Sequence, residues 1–235
     1  MEWIRGLAEY VKNKEYREAL GLPQAQMEKY ELLAQGEYNI NYVFTHPVTG
    51  KKLLLRVNCG SQMHLQYQIE YEAHALKLIE CSGRTPKVLY VDGSKKILDH
   101  GVLVMEYLPG HAMDYHTELM LAAPCLADIH SVPVPESEEI LIHPENPLKA
   151  ILEECEEMFK VYLESPLGDE EKKTYIRELL NLGWKREAEI RLESGYQCCI
   201  NTELNSTNFL INGEGKSNYL IDWEKPLFGN PAQDL

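Results

Sequence analysis

Two oxygen-bearing side chains late in the chain could hold a hard metal ion. The segments 208–212 (NFLIN) and 218–224 (NYLIDWE) are predicted as short strands joined by the glycine-containing turn 213–217. An antiparallel pairing centred on Gly215 places Asn208 opposite Asp222, and residues opposed in this way lie about 5 Å apart. An amide oxygen and a carboxylate at that separation could share one Mg²⁺. The alternative is that both residues serve only the turn and the strand ends.

A second acidic residue precedes this hairpin. In the segment 201–208 (NTELNSTN), Glu203 lies five residues before Asn208, in a polar loop between apolar stretches. A carboxylate on a loop beside a metal site can accept the proton of a reacting hydroxyl. Glu203 is therefore the candidate general base.

The earlier half of the chain contains a candidate ion pair. A helix is predicted over 66–80, and Glu72 falls within its apolar face. A carboxylate directed into a core requires a cation, because burying it unpaired is costly. The best candidate is Arg56, which shares one face of an apolar strand with Leu54. The alternative is that Arg56 is half-exposed and that Glu72 lies at the edge of the apolar face. The apolar positions of this helix are Ile69, Ala73, Ala75, Leu76 and Ile79.

The periodicity around these residues predicts a β-rich half followed by a helical half. Residues 1 to about 35 are predicted to be helical, and the strands GEYNINYVFTH and KKLLLRVN follow, joined by the turn 47–50. Two more strands, VLYVD and GVLVMEYL, are predicted next. Beyond Pro109 the chain is predicted to be helical, including most of 148–192, before the late short strands. The predicted fold class is α+β, divided into 1–107 and 108–235.

Composition restricts the possible partners. The chain of 235 residues carries a net charge of −14 and contains no evident basic patch, so nucleic acid is not an expected partner. Its six cysteines form no CxxC pair, and no apolar run approaches bilayer-spanning length. We therefore expect a cytoplasmic protein that does not bind membranes, and the sequence leaves its oligomeric state open. Gly215-Lys216-Ser217 is not a P-loop, because position 210 is Leu210 rather than glycine. The histidines show no zinc-ligand spacing.

In this order and spacing, the motifs resemble those of the aminoglycoside phosphotransferase and choline kinase-like family. The resemblance runs from about Gly36 to Leu235 and implies a two-lobed protein-kinase-like fold. That fold has an antiparallel β-sheet N-lobe with one helix, and a mainly helical C-lobe with a catalytic-loop hairpin. It implies ATP and Mg²⁺ as cofactors, and transfer of the γ-phosphate to a hydroxyl of a small molecule such as an aminoglycoside or a choline-like alcohol.

The resemblance also assigns residues. GEYNINYVF resembles the hairpin that covers the nucleotide, LLLRVN the phosphate-contacting strand, and VLVMEYLPG the hinge that reads adenine through its backbone. LADIH resembles the helix that ends in His130, and Asp234 matches the aspartate that braces the catalytic loop. The implied catalytic residues are Glu203, Asn208 and Asp222, of which Asn208 and Asp222 are the metal ligands. The implied nucleotide-binding residues are Gly36, Asn39, Asn41, Arg56, Glu72, Glu106 and Leu108.

The sequence departs from the family pattern HxDxxxxN at two loop positions. Asn201 replaces the histidine, and Glu203, which is one methylene longer, replaces the aspartate. Family members also continue beyond the Asp-Leu motif, so the chain resembles a C-terminally truncated member. These departures leave open a nucleotide-binding pseudokinase that acts as a scaffold or regulator. Phosphorylation of proteins is disfavoured, because the segment between Asp222 and Pro231 is too short for an activation segment.

Overall fold

A five-stranded antiparallel sheet forms the first half of the molecule. The computed structural model describes residues 4–190, 196–213 and 218–234. The sheet has the strand order β1-β2-β3-β5-β4, so that β3 lies at its centre. Its strands are β1 (Glu31–Gln35), β2 (Asn39–Thr45), β3 (Lys52–Asn58), β4 (Val88–Asp92) and β5 (Gly101–Glu106). The predicted antiparallel hairpin around the turn 47–50 is confirmed as β2 and β3.

The N-terminal segment differs from its prediction. Two short helices, α1 (Leu7–Tyr10) and α2 (Lys14–Leu20), pack on the outer face of the sheet in one apolar cluster. The helical prediction through residue 35 is wrong, because Glu31–Gln35 is the edge strand β1. All five of its side chains are exposed, so no burial period distinguished a strand from a helix in the sequence. The helical prediction also included residues 1–3, which lie outside the described part of the chain.

The alternating pattern of β3 separates two cores. Leu53 and Leu55 belong to the outer cluster with α1 and α2, whereas Leu54 packs against the inner cluster. The predicted helix is present as α3 (Gln68–Ile79), which covers the inner face of the sheet and has its apolar face buried. The inner cluster continues into the second half of the chain through residues such as Trp223. The inner face of β3 therefore points toward the junction of the two halves.

The second half is mainly helical, with three short strand pairs. Asn146 and Asp169 cap the two long helices by accepting hydrogen bonds from the amides of Lys149 and Lys172. The helices are α4 (Ala122–His130), α5 (Pro147–Glu164) and α6 (Glu170–Glu189). The strands are β6 (His111–Ala112), β7 (Cys198–Ile200), β8 (Phe209–Ile211), β9 (Asn218–Leu220) and β10 (Leu227–Gly229). Among the helices of the described ranges, none combines the length and the apolar character that crossing a bilayer requires.

The late hairpin forms with a register one residue away from the prediction. Phe209 pairs with Leu220, and the amide of Ile221 donates to the carbonyl of Asn208 at 2.8 Å. The predicted opposition of Asn208 and Asp222 is therefore wrong. Asp222 has left the ladder and takes a left-handed backbone conformation with φ 64°. Residues 214–217 of the predicted turn lie outside the described part, and the division of the chain at residue 107 stays a prediction.

Candidate active site

A buried ion pair occupies the inner face of the sheet. Arg56 on β3 donates from Nη1 to Glu72 Oε1 on α3 at 2.5 Å, and from Nε to Asn41 Oδ1 on β2 at 3.0 Å. Both charged side chains are almost fully buried. The strand alternation and the helical face together predicted this pair, and the structure contains it. Asn41 lies beside Arg56 because the register of β2 and β3 pairs these two residues directly.

Two further carboxylates approach the same guanidinium. Asp222 Oδ1 lies 3.4 Å from Arg56 Nη1, and Glu224 Oε1 lies 3.9 Å from it. The Asp222 side chain is 34% exposed, whereas that of Glu224 is 15% exposed. Asp222 is therefore the member of this cluster with the best access to solvent and to a ligand. Glu224 was not singled out from the sequence, although an acidic residue two positions after Asp222 was the available signal.

Burial and mutual repulsion set the protonation of these acids. Burial raises the pKa of Glu72 to about 7 against the opposing charge of Arg56, and the charge of Asp222 adds to the rise. Burial also raises the pKa of Glu224 to about 7, again with a contribution from Asp222. Burial alone would lower the pKa of Arg56, but the three carboxylates raise it above its ordinary value. The guanidinium therefore stays charged, while one cation cannot neutralise three acids.

Glu72 has one oxygen left over after pairing. Its Oε2 is buried and has no hydrogen-bond partner within the described residues. A buried carboxylate oxygen without a donor costs free energy, and such atoms in native structures call for an explanation. Together with the surplus of acids, it gives this corner of the molecule an excess of negative charge. An anionic ligand would bind here more tightly together with a metal cation that offsets this charge.

The loop 201–208 is held by an aspartate from the end of the chain. Asp234 accepts hydrogen bonds from the amides of Asn201, at 3.0 and 3.1 Å, and of Thr202, at 2.8 Å. Its Oδ2 also contacts Nε2 of His130 at the end of α4, at 2.9 Å. The predicted bracing of the loop by Asp234 is therefore present. The hydroxyl of Thr202 adds a bond of 2.7 Å to the carbonyl of Lys225.

The side chain of Asn201 joins this loop to the segment that carries Asp222. Its Nδ2 donates to the carbonyl of Asp222 at 2.9 Å, and its Oδ1 accepts from the amide of Glu203 at 3.1 Å. Asn201 is fully buried, and both Thr202 and Asp222 have positive φ. One amide group therefore fixes the backbone of two candidate site residues. The asparagine that stands at the position of the family histidine has a defined positioning contact.

The side chain of Asn208 is hydrogen-bonded to the backbone of Glu203. The Nδ2 of Asn208 donates to the carbonyl of Glu203 at 2.9 Å. Within the described residues, neither Asn208 Oδ1 nor the Glu203 carboxylate has a hydrogen-bond partner, and Glu203 is half-buried. Although the register differs from the prediction, Asn208 is bonded to Ile221 and so lies next to Asp222 along the hairpin. These oxygens are free to bind a metal ion or accept a proton.

These residues have the donor chemistry for Mg²⁺. An amide oxygen and a carboxylate are hard oxygen ligands of the kind Mg²⁺ takes, and Mg²⁺ commonly binds one or two protein ligands together with phosphates and water. Over the described ranges, no group of three or more His, Cys, Asp and Glu side chains is arranged to hold a metal ion. A magnesium ion at Asn208 and Asp222 would therefore depend on a phosphate ligand for its remaining contacts.

A cleft of about 280 Å³ runs along the inner face of the sheet, and its lining includes Asp222 but neither Asn208 nor Glu203. Arg56, Glu72 and Asp222 line one part of it, and Glu106 and Leu108 line another. Its apolar walls include Leu33, Leu54, Met105, Leu210 and Ile221. An apolar slot that ends at a cation and an acidic residue suits a flat aromatic ring attached to phosphates.

The remaining predicted nucleotide-binding residues differ in their position. Asn41 lines the cleft, whereas Gly36, in the β1–β2 turn, and Asn39, the first residue of β2, do not. The amide of Gly36 donates to the carbonyl of Asn39 at 2.9 Å. The side-chain amide of Asn39 donates to Glu224, so its visible contact is within the protein. A nucleotide role for Gly36 and Asn39 stays a prediction.

Comparison with protein families gives a match over most of the chain. The model of a family described as a phosphotransferase enzyme family matches residues 29–235. A search of curated proteins finds no match.

Many solved structures share this fold. A spectinomycin phosphotransferase, solved in complex with ADP and spectinomycin, has 15% sequence identity and a TM-score of 0.65 over 99% of this chain and 72% of its own. An ethanolamine kinase from Plasmodium vivax has 14% identity and a TM-score of 0.66 over 97% of this chain and 63% of its own. A choline kinase from Cryptosporidium parvum has 15% identity and a TM-score of 0.59 over 96% of this chain and 62% of its own. The predicted kinase-like α+β fold is thereby confirmed.

Proposed function

Because the chain belongs to the phosphotransferase enzyme family, we propose that it transfers the γ-phosphate of ATP, bound with Mg²⁺, to a hydroxyl group of a small molecule. The observation that carries the proposal is the convergence of Arg56, Glu72 and Asp222 at one end of an apolar cleft. Chain segments far apart in the sequence supply these residues. A purely structural ion pair would account for Arg56 and Glu72 but not for the partly exposed carboxylate of Asp222 beside them.

The protein's residues have separate roles in this proposal. Arg56, anchored by Glu72 and Asn41, binds phosphate oxygens. The backbone groups of Glu106 and Leu108 contact the adenine edge, and the apolar walls of the cleft pack on its faces.

Beside Arg56, Asn208 and Asp222 would hold Mg²⁺, which when bound would offset the charge of the phosphates. The Glu203 carboxylate accepts the proton of the acceptor hydroxyl as its oxygen bonds to the γ-phosphorus and ADP departs. Catalysis then depends mainly on positioning and charge neutralisation. The family resemblance suggests an aminoglycoside, a choline-like compound or a related alcohol as the acceptor.

A Glu203→Gln variant tests the assignment of the base. We expect it to keep Mg·ATP affinity within about twofold and to lose at least roughly 100-fold in phosphate transfer, since general base catalysis typically contributes that much. Transfer is followed by ³¹P NMR over a panel of amino-alcohols, sugars and aminoglycosides. Glu15→Gln, at an exposed acid on α2, is the matched control. Unchanged transfer in Glu203→Gln would remove Glu203 from the mechanism.

The alternative function is a nucleotide-binding regulator without transferase activity. The longer side chain of Glu203 favours it, because an additional methylene moves the carboxylate relative to the family's aspartate. Saturable Mg·ATP binding by the wild-type chain without transfer to any acceptor of the panel would support this alternative.

A further inference from the structure

A second, larger groove lies beside the catalytic loop. Its volume is about 610 Å³, and it runs between α5, the segment 62–64 and the segment 225–233. Ile142, Ile151, Met158 and Leu227 give it an apolar wall. Its acidic lining residues are Glu154 and Glu157 of α5, and Lys225 is the facing lysine. The groove is large enough for a molecule considerably bigger than a simple amino-alcohol.

The groove is next to the candidate base. Leu227 on β10 pairs with Ile200, the last residue of the strand that leads into the loop 201–208. The carbonyl of Lys225, on the same wall of the groove, accepts a hydrogen bond from the hydroxyl of Thr202, which immediately precedes Glu203. Tyr38 lines the opposite edge, where burial and the acids Glu37, Glu224 and Glu203 raise its pKa. The groove thus borders the segments that hold the loop on either side of Glu203, although the Glu203 side chain is not among its lining residues.

The acidic helix that borders the groove offers no free carboxylate within its LEECEE segment. Each of the four glutamates there has a cationic partner within 4.0 Å. The pairs are Glu153–Lys149 at 3.7 Å, Glu154–Lys225 at 3.0 Å, Glu156–Arg177 at 2.9 Å and Glu157–Lys160 at 2.6 Å. An ammonium group of a ligand would have to displace one of these cations and would gain little net free energy. Although the chain has a net negative charge, this part of α5 therefore provides no unpaired carboxylate to bind a cationic ligand.

We propose that this groove binds the acceptor of the phosphotransfer reaction and that it selects an alcohol with an extended apolar body over a polycationic one. The proposal rests on the proposed function, because it assigns the second substrate of the same site. Recognition comes from burial of apolar surface against Ile151, Met158 and Leu227. The acceptor hydroxyl lies at the end of the groove nearest to Glu203.

The test compares two alcohols that share the same reacting group. Ethanolamine carries an ammonium group, whereas N-octanoylethanolamine is uncharged and carries an alkyl chain. Burying even part of that chain should raise kcat/KM for the octanoyl compound roughly 100-fold over ethanolamine. Kanamycin, with several ammonium groups, serves as the polycationic acceptor and should be a poorer substrate than the octanoyl compound.

Two variants of α5 locate the effect. Ile151→Glu places a charge on the wall of the groove, and kcat/KM for the octanoyl compound should fall roughly tenfold or more. Val161→Glu is the matched control, because Val161 lies on the same helix, is 71% exposed and is not part of the groove lining. Ile151 is itself 47% exposed, so the substitution should leave the fold intact. Mg·ATP affinity, measured by calorimetry, should be the same in both variants.

Preference for ethanolamine or kanamycin, or equal effects of the two substitutions, would overturn the groove assignment. Failure to phosphorylate the octanoyl compound at all would overturn it as well. Nucleotide binding separates this failure from that of the proposed function. A chain that binds Mg·ATP and phosphorylates only the amine-bearing alcohols loses the groove assignment alone, whereas a chain that does not bind Mg·ATP loses both.

Discussion

Replacing Asn201 with alanine should uncouple the loop that carries Glu203 from the segment that carries Asp222. The wild-type side chain donates to the carbonyl of Asp222 at 2.9 Å and accepts from the amide of Glu203 at 3.1 Å, and it is fully buried. Alanine leaves both backbone groups without these partners. Each loss costs roughly 1 to 2 kcal/mol when the group stays buried, so the free energy of unfolding should fall by about 2 to 4 kcal/mol.

The same substitution should weaken metal-dependent binding more than binding of the nucleotide alone. Asp222 holds a left-handed backbone conformation with φ 64°, and Asn201 is the side chain that anchors its carbonyl. Without that anchor the carboxylate is no longer preorganised for Mg²⁺. We expect ADP affinity in the presence of Mg²⁺ to fall about tenfold, while ADP affinity in EDTA changes little.

Two further substitutions at the same position sharpen the result. Histidine has one ring nitrogen that donates and one that accepts, so Asn201→His should recover most of the Mg²⁺-dependent affinity. Asn201→Asp keeps the size but has no donor for the carbonyl of Asp222, and should resemble alanine. Urea denaturation gives the unfolding free energies, and calorimetry with and without Mg²⁺ gives the affinities. An alanine variant within 1 kcal/mol of wild type and with unchanged Mg²⁺ dependence would refute the reasoning.

Three other substitutions give distinct outcomes. Burial would raise the pKa of Glu138, but backbone amide donors and the His74 imidazole lower it. The ionised carboxylate therefore stabilises the fold above pH about 4.5, and this stabilisation is lost as the pH falls through the lowered pKa. In Glu138→Gln, the free energy of unfolding should fall less on acidification than in the wild type. Arg17→Met leaves Glu28 buried without its partner at 2.9 Å, so urea denaturation should show a loss of about 3 to 5 kcal/mol, with Mg·ADP affinity retained below the transition. Glu72→Ala removes the closest ion-pair partner of Arg56, so that only Asp222 and Glu224 remain to position the guanidinium. Calorimetry should then show a Mg·ATP affinity about tenfold lower, and an unchanged affinity would show that the ion pair is only structural.

Sequence periodicity identified Arg56 and Glu72 as the best candidates for the central ion pair. The alternation of β3 assigns Leu53 and Leu55 to one face and Arg56 to the other, and the face of α3 places Glu72 toward it. Periodicity alone left open that Arg56 is half-exposed and that Glu72 lies at the edge of the apolar face. The pairing then follows from the cost of burying either charge alone.

Other features depend on contacts that no local pattern reports. Strand β1 is fully exposed, so only its backbone pairing with β2 distinguishes it from a helix. The register of the late hairpin differs by one residue from the prediction, because the composition of a turn does not by itself specify the register of the strands that it joins. The approach of Glu224 to Arg56 and the bridging amide of Asn201 are tertiary contacts between distant segments. The resemblance to a family supplied the loop's role, but not these partners.

The central claim is that Arg56 and Asp222 form one site for a nucleotide and its magnesium ion. Isothermal titration of the wild-type chain with ADP, with and without Mg²⁺, tests it most directly. Arg56→Ala should bind Mg·ADP at least about tenfold more weakly, Asp222→Asn should lose the Mg²⁺ dependence, and Lys51→Ala, at an exposed lysine in the β2–β3 turn, should behave as wild type. Absence of saturable binding by the wild type, or binding that neither Arg56→Ala nor Asp222→Asn alters, would contradict the account.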